Sequence, residues 1–264
     1  MSAPADNPVT ALELRSAHVR FGGVSAVNGV SLQIPSAAGI SAIIGPNGAG
    51  KTTIFNVLTG IIRPASGQIL IAGRHMTGRR SDEIFRARVA RTFQGVRLFA
   101  HLSIRDNVLL AARSASAPGR PGGPSAWIDR RGDATRRTEW ALAEVDLPRQ
   151  LWSALPDRLT LLERRLAEIA RALTVEPIVL LLDEPAAGMN TAEKARLCTL
   201  LGKLTHSTGC RIVVIEHDMK LVMSIAERIW VMNFGCLLSE GTPAEIRTNQ
   251  AVIEAYLGTG SHHD

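Results

Sequence analysis

Apolar and polar residues alternate between Leu12 and Ile34. Leu12 and Leu14, then Val30, Leu32 and Ile34, fall on one side of an extended chain, and a period of two predicts paired strands. Ile40 to Ile44 is a short, mostly apolar run with Ser41 inside it that leads into a glycine-rich stretch, the pattern of a short buried strand followed by a tight loop. From Thr52 to Thr59 the spacing turns helical. A further strand is predicted over Gln68 to Ile71, with Gly67 and Gly73 as turns on either side. Helical stretches at 104–113, 133–146 and 160–173 occupy the middle of the chain. Residues 114–125, Ser-Ala-Ser-Ala-Pro-Gly-Arg-Pro-Gly-Gly-Pro-Ser, have the composition of a flexible loop. Strand signals return at 178–183 and 211–216. This order predicts an α/β core interrupted by a mostly helical insertion, without internal repeats.

Length and composition fit one large domain: 264 residues, of which 45% are hydrophobic and 20% charged. No apolar run approaches the roughly 18 residues that a membrane-spanning helix needs. Met1 to Thr10 lacks a basic region followed by an apolar stretch, so no secretory signal is read there and a cytoplasmic location is expected. Cys198, Cys210 and Cys236 have no metal-binding spacing and are expected to be reduced thiols. The net charge of +6 comes almost wholly from arginine, because Lys51, Lys194, Lys203 and Lys220 are the only lysines. Arginine pairs such as Arg79-Arg80 and Arg136-Arg137 read as solvated faces, and no nucleic-acid partner is expected from them.

The chemistry begins at Gly45-Pro46-Asn47-Gly48-Ala49-Gly50-Lys51-Thr52, a full match to G-x-x-x-x-G-K-[ST]. Glycines let the backbone curl until successive N–H groups point inward and cradle phosphate oxygens. The following helix adds its N-terminal partial positive charge. Lys51 is expected on the β- and γ-phosphates of ATP and the Thr52 hydroxyl on Mg2+. The buried run Ile178 to Leu182 ends in Asp183-Glu184. Asp183 there can hold magnesium, and Glu184 can orient and deprotonate an attacking water.

With both motifs present, the sequence resembles the ABC ATPase family over almost its whole length. The resemblance implies a P-loop NTPase core of ABC ATPase type with an antiparallel β subdomain. It implies one domain over 10–258, a helical insertion at about 95–173, and flexible ends at 1–9 and 259–264. It makes Gln94, in Arg91-Thr92-Phe93-Gln94, the glutamine that contacts magnesium and water and senses the membrane partner. His217, in Ile215-Glu216-His217-Asp218, becomes the histidine that contacts the γ-phosphate. Phe21, before Gly22-Gly23, is similar in place to the aromatic that stacks on adenine, and Thr53 joins the phosphate contacts. Ala186-Ala187-Gly188-Met189-Asn190 resembles the loop that crosses to a second ATPase.

The stretches Arg91 to Phe99, Asp183 to Asn190 and Ile215 to Met223, with the ending Glu240 to Gly258, are similar to ATPase subunits of branched-chain amino acid importers. That resemblance implies two membrane-spanning permease subunits, a second ATPase subunit and an extracytoplasmic substrate-binding protein. The ATPase would be peripheral on the inner face of the cell membrane. Importers of urea and related amides belong to the same subgroup and are the alternative. A DNA-directed member would carry a long heptad-patterned insertion, a translation-associated one two phosphate loops, and a nucleotide switch would not need Glu184. One departure concerns the family signature, usually Leu-Ser-Gly-Gly-Gln, which falls at Leu159-Thr160-Leu161-Leu162-Glu163. Thr160 keeps a hydroxyl for the facing subunit's nucleotide. Leu162 replaces a glycine, leaving two alternatives: the leucine obstructs that nucleotide, or the loop adapts around it.

Overall fold

The computed structural model describes residues 10–115 and 130–257. The termini expected to be flexible, and most of the loop expected at 114–125, lie outside the described residues. The first two strands, β1 (Thr10–Phe21) and β2 (Val24–Pro35), form a hairpin, followed by β3 (Gly39–Ile44) and α1 (Lys51–Leu58). Next come β4 (Ser66–Ile71), β5 (Arg74–His75), α2 (Ser81–Arg86) and β6 (Val89–Arg91). Three helices then pack on one another: α3 (Ile104–Ala115), α4 (Arg130–Glu144) and α5 (Leu161–Leu173). The chain continues through β7 (Val179–Asp183), α6 (Thr191–Thr208), β8 (Arg211–Ile215) and α7 (Met219–Ile225). It closes with β9 (Arg228–Asn233), β10 (Cys236–Gly241), α8 (Pro243–Thr248) and α9 (Gln250–Leu257).

Two sheets result. The antiparallel one has the order β2-β1-β4-β5, and the larger one the order β10-β9-β3-β8-β7-β6, parallel except at β10. The continuous apolar runs of the larger sheet have a direct cause. Ile40, Ala42 and Ile44 of β3, Leu180 and Leu182 of β7, and Ile212 and Val214 of β8 pack into the core shared with the helices. The residues between them, Ile43, Leu181 and Val213, pack on the opposite face against Leu12, Leu14 and Leu32 of the antiparallel sheet and against Phe55 of α1. Neither face meets water, so nearly every position in these runs is apolar, with Ser41 of β3 a buried polar exception. Each of the Leu, Ile and Val side chains contributes about 1.5–3 kcal/mol through burial. In parallel sheets of this kind, ligands sit beyond the carboxyl ends of the strands. Here those ends lead to Gly45, Gln94, Glu184 and His217.

Candidate active site

The loop between β3 and α1 is held where only glycine fits. A β-carbon on Gly45 would lie 2.1 Å from the carbonyl oxygen of Met232, and one on Gly50 would lie 2.3 Å from that of Ala26. Gly45, Gly48 and Gly50 all have positive φ, so glycine meets both the steric and the conformational demand. Gly50 caps α1 without a side-chain hydrogen bond, which leaves the first N–H groups of the helix available to an anion. Lys51 lies back across the loop, its Nζ donating to the carbonyls of Gly45 and Pro46 at 2.7 Å each. Burial pushes the Lys51 ammonium below its usual range, while Glu184 and Asp183 act to raise it. Asn47 and Thr52 are exposed, Pro46 and Thr53 are half-buried and Ala49 is buried.

Three of the expected residues meet. Glu184 accepts a hydrogen bond from Gln94 Nε2 at 2.9 Å on one oxygen, and its other oxygen lies 2.7 Å from His217 Nε2. Its backbone has φ 47°, a left-handed conformation unusual for a side-chain-bearing residue. The Glu184 N–H donates to Ile215 O at 2.9 Å. A carboxylate held between an amide and an imidazole at the mouth of a phosphate loop can accept a proton from water.

Asp183 depends on a residue that the motifs did not single out. Arg91 Nη2 donates to Asp183 Oδ2 at 2.6 Å, with only 5% and 2% of the two side chains exposed. Arg91 Nη1 reaches Asn56 Oδ1 at 2.7 Å, and the guanidinium lies over the rings of Phe55 and Phe93. The other carboxylate oxygen, Asp183 Oδ1, is buried and has no hydrogen-bond partner. The orphaned carboxylate oxygen and the exposed Thr52 hydroxyl are both hard oxygen donors, the kind a cation such as Mg2+ takes. Arg91→Leu is expected to leave the buried Asp183 side chain without its ion-pair partner. Breaking such a pair costs about 3–5 kcal/mol. Urea unfolding should therefore show a clearly lower midpoint for Arg91→Leu, and an unchanged midpoint would remove Arg91 from the support of Asp183.

The other expected residues stand apart from this cluster. Phe21 is half-exposed at the end of β1, opposite Val24 in the hairpin. The same hairpin passes the phosphate loop at Ala26. Thr160 is the N-cap of α5, its hydroxyl engaged with Glu163 in a capping box, and no hydrogen bond among the described residues joins it to the phosphate loop. Leu162 is turned into the helical core and is nearly fully buried. Of the two alternatives for the altered signature, this burial supports the adaptable loop.

Glu216 and Tyr256 are further neighbours that sequence reasoning missed. Glu216 is buried, and its carboxylate accepts the N–H groups of Ala186 at 2.8 Å and His217 at 3.2 Å. Its signal in the sequence was an acid directly after the buried run Val213 to Ile215. Burial pushes the Tyr256 phenol up to about 12, against a backbone hydrogen bond with Gly45. A helix near the end of the chain thus reaches the first glycine of the loop.

A glycine loop on a helix N-terminus, a buried lysine and a strand-end pair of carboxylates define a nucleoside-triphosphate-hydrolysing cassette. The chain belongs to the ABC transporter family, whose model matches residues 27–187, and residues 236–262 match a model described as branched-chain amino acid ATP-binding cassette transporter. It is 42% identical over 243 residues, 91% of this chain and 94% of the relative, to the high-affinity branched-chain amino acid transport ATP-binding protein LivG of Salmonella typhimurium. The LivG protein of Escherichia coli is 41% identical over 251 residues, covering 94% of this chain and 97% of the relative. The fold is similar to a crystal structure of an ATP-binding cassette of an ABC transporter in its ADP conformation. That comparison has a TM-score of 0.79, 24% identity, and coverage of 94% of this chain and 99% of the other.

Proposed function

We propose that this chain is the ATP-hydrolysing subunit of an importer for branched-chain or other small amino acids. The convergence of Gln94, Glu184 and His217 at the phosphate loop supports the chemistry. The amino acid class rests on relatives more than 40% identical over nearly the whole chain, whose names specify branched-chain amino acid transport. The N–H groups of residues 45–52 and the Lys51 ammonium bind the phosphates, Thr53 adds to that contact, and the Phe21 ring carries the adenine. Glu184 takes the proton of the attacking water. Gln94 orients the carboxylate and the water, and His217 binds the γ-phosphate while steadying Glu184. Thr52, Asp183 and Gln94 would hold magnesium, which supplies charge neutralisation for the phosphates when bound. Thr160 faces the nucleotide of a second ATPase subunit.

Among the described residues no helix is long and apolar enough to cross a membrane. Transport therefore calls for separate permease subunits, two in this reading, with an extracytoplasmic binding protein to deliver the substrate and the ATPase peripheral on the inner face of the membrane. Phe99 is the candidate contact to the permeases. Its ring is 56% exposed, yet its backbone is fixed by the buried Asn107, which accepts from the Phe99 N–H at 2.7 Å and donates to its carbonyl at 3.1 Å. A rigidly based aromatic makes a good anchor for a partner. Phe99→Asp is expected to abolish most ATP-driven leucine uptake by vesicles carrying the assembled importer, while the isolated chain binds ATP as before. Unchanged uptake would exclude this docking point. Uptake of urea but not leucine by the parent complex would move the assignment to the amide importers.

A further inference from the structure

The segment 92–103 between β6 and α3 contains neither helix nor strand, so its backbone groups must find partners elsewhere. Four of them find side chains of α5. Arg165 donates from Nη1 to the Phe93 carbonyl at 2.8 Å, and from Nη2 to the Gln94 carbonyl. Glu168 accepts the Arg97 N–H at 2.6 Å, and Arg171 donates to the Arg97 carbonyl at 2.5 Å. Arg165 and Glu168 pair with each other at 3.1 Å, with side chains 5% and 0% exposed. Taking both charges out of water costs several kcal/mol each, and apolar packing could stabilise the fold equally well. What a guanidinium fork adds is a fixed geometry for two carbonyls at once.

The other end of this helix lies beside the segment that follows Glu184. A β-carbon on Gly188 would be 3.1 Å from the side chain of Leu161, the first residue of α5. One helix thus grips the Gln94 backbone and also touches the chain just past Glu184, while the Gln94 side chain is bonded to Glu184 itself.

We propose that Arg165, held in place by Glu168, is a positioning residue for hydrolysis: it makes the Gln94 segment travel with α5, so that the Gln94–Glu184 hydrogen bond depends on where α5 sits against the sheet. This rests on the reading of Gln94 and Glu184 as hydrolytic groups. Arg165 bonds the backbone of the Gln94 segment and acts on the reaction through Gln94.

The informative variant is Arg165→Lys in the full chain, because lysine keeps a charge beside Glu168 but replaces the rigid fork that gives each carbonyl its own nitrogen with a single rotatable ammonium. The expected result is a kcat lower by about tenfold, the scale of one lost charged hydrogen bond, with unchanged ATP affinity by calorimetry. Combined with Gln94→Ala, it should slow the chain no further than Gln94→Ala alone, since residues acting through one another are not additive. A parent-like rate for Arg165→Lys, or losses that multiply in the double variant, would overturn the proposal while leaving the hydrolytic reading intact. Gln94→Ala at the parent rate would overturn both. Should Arg165→Lys melt early, the neutral pair replacement Arg165→Met with Glu168→Leu faces the same comparison, and independent losses there also reject the link.

Discussion

Replacing Glu184 by glutamine is expected to lower ATP turnover by about 10²- to 10⁴-fold, the range associated with loss of a positioned general base. The substitution keeps size, shape and the left-handed backbone. The new amide oxygen can still accept from Gln94 Nε2, now 2.9 Å from the carboxylate. What disappears is the capacity to take a proton. Nucleotide affinity should be nearly unchanged, because the loop of residues 45–52 and the Lys51 ammonium are untouched. Phosphate release at saturating ATP, measured beside calorimetric binding, separates the two quantities. A Glu184→Gln chain with parent-like turnover would mean that another group activates the water.

The opposite profile is expected for Lys51→Ala. Its ammonium is the one side-chain cation within the glycine loop, donating to Gly45 O and Pro46 O at 2.7 Å each. A triphosphate offers a stronger, charged acceptor than these carbonyls. Hydrogen bonds to charged groups contribute about 1.5–3 kcal/mol, so ATP affinity should fall by about 10- to 100-fold on this scale. Burial already works against the charged amine, holding Lys51 below its usual range. Its removal is accordingly not expected to lower the melting temperature, and lost binding can be told from lost folding. Equal ATP affinity in variant and parent would remove Lys51 from the phosphate site.

Local signals in the sequence go a long way here. The unbroken apolar run at 178–182 reads as a buried strand, and β7 occupies Val179–Asp183, because a strand covered on both faces has no room for polar residues. Helical spacing at 160–173 matches α5, Leu161–Leu173, which the structure shows to be capped by Thr160. The phosphate loop was legible because its glycines answer to a constraint of the backbone, which is local. In contrast, β9 was not singled out, although its apolar core Ile229 to Met232 packs beside β3. A short apolar run without flanking chemistry does not distinguish strand from helix.

What the sequence by itself determined is the chemistry that neighbouring residues set: the curled loop, the strand-end carboxylates and the family resemblance. Only the tertiary structure decided which distant groups share an atom. Gln94 and Glu184 are ninety positions apart and Arg91 and Asp183 ninety-two, yet each pair is joined by one hydrogen bond. The inward turn of Leu162 and the grip of Arg165 on the Gln94 backbone are likewise matters of packing. The physical reason lies in the sheet order: β6 pairs with β7, and β7 with β8, across long stretches of chain. Hydrophobic periodicity fixes which face of each strand is buried, but not which strand becomes its neighbour.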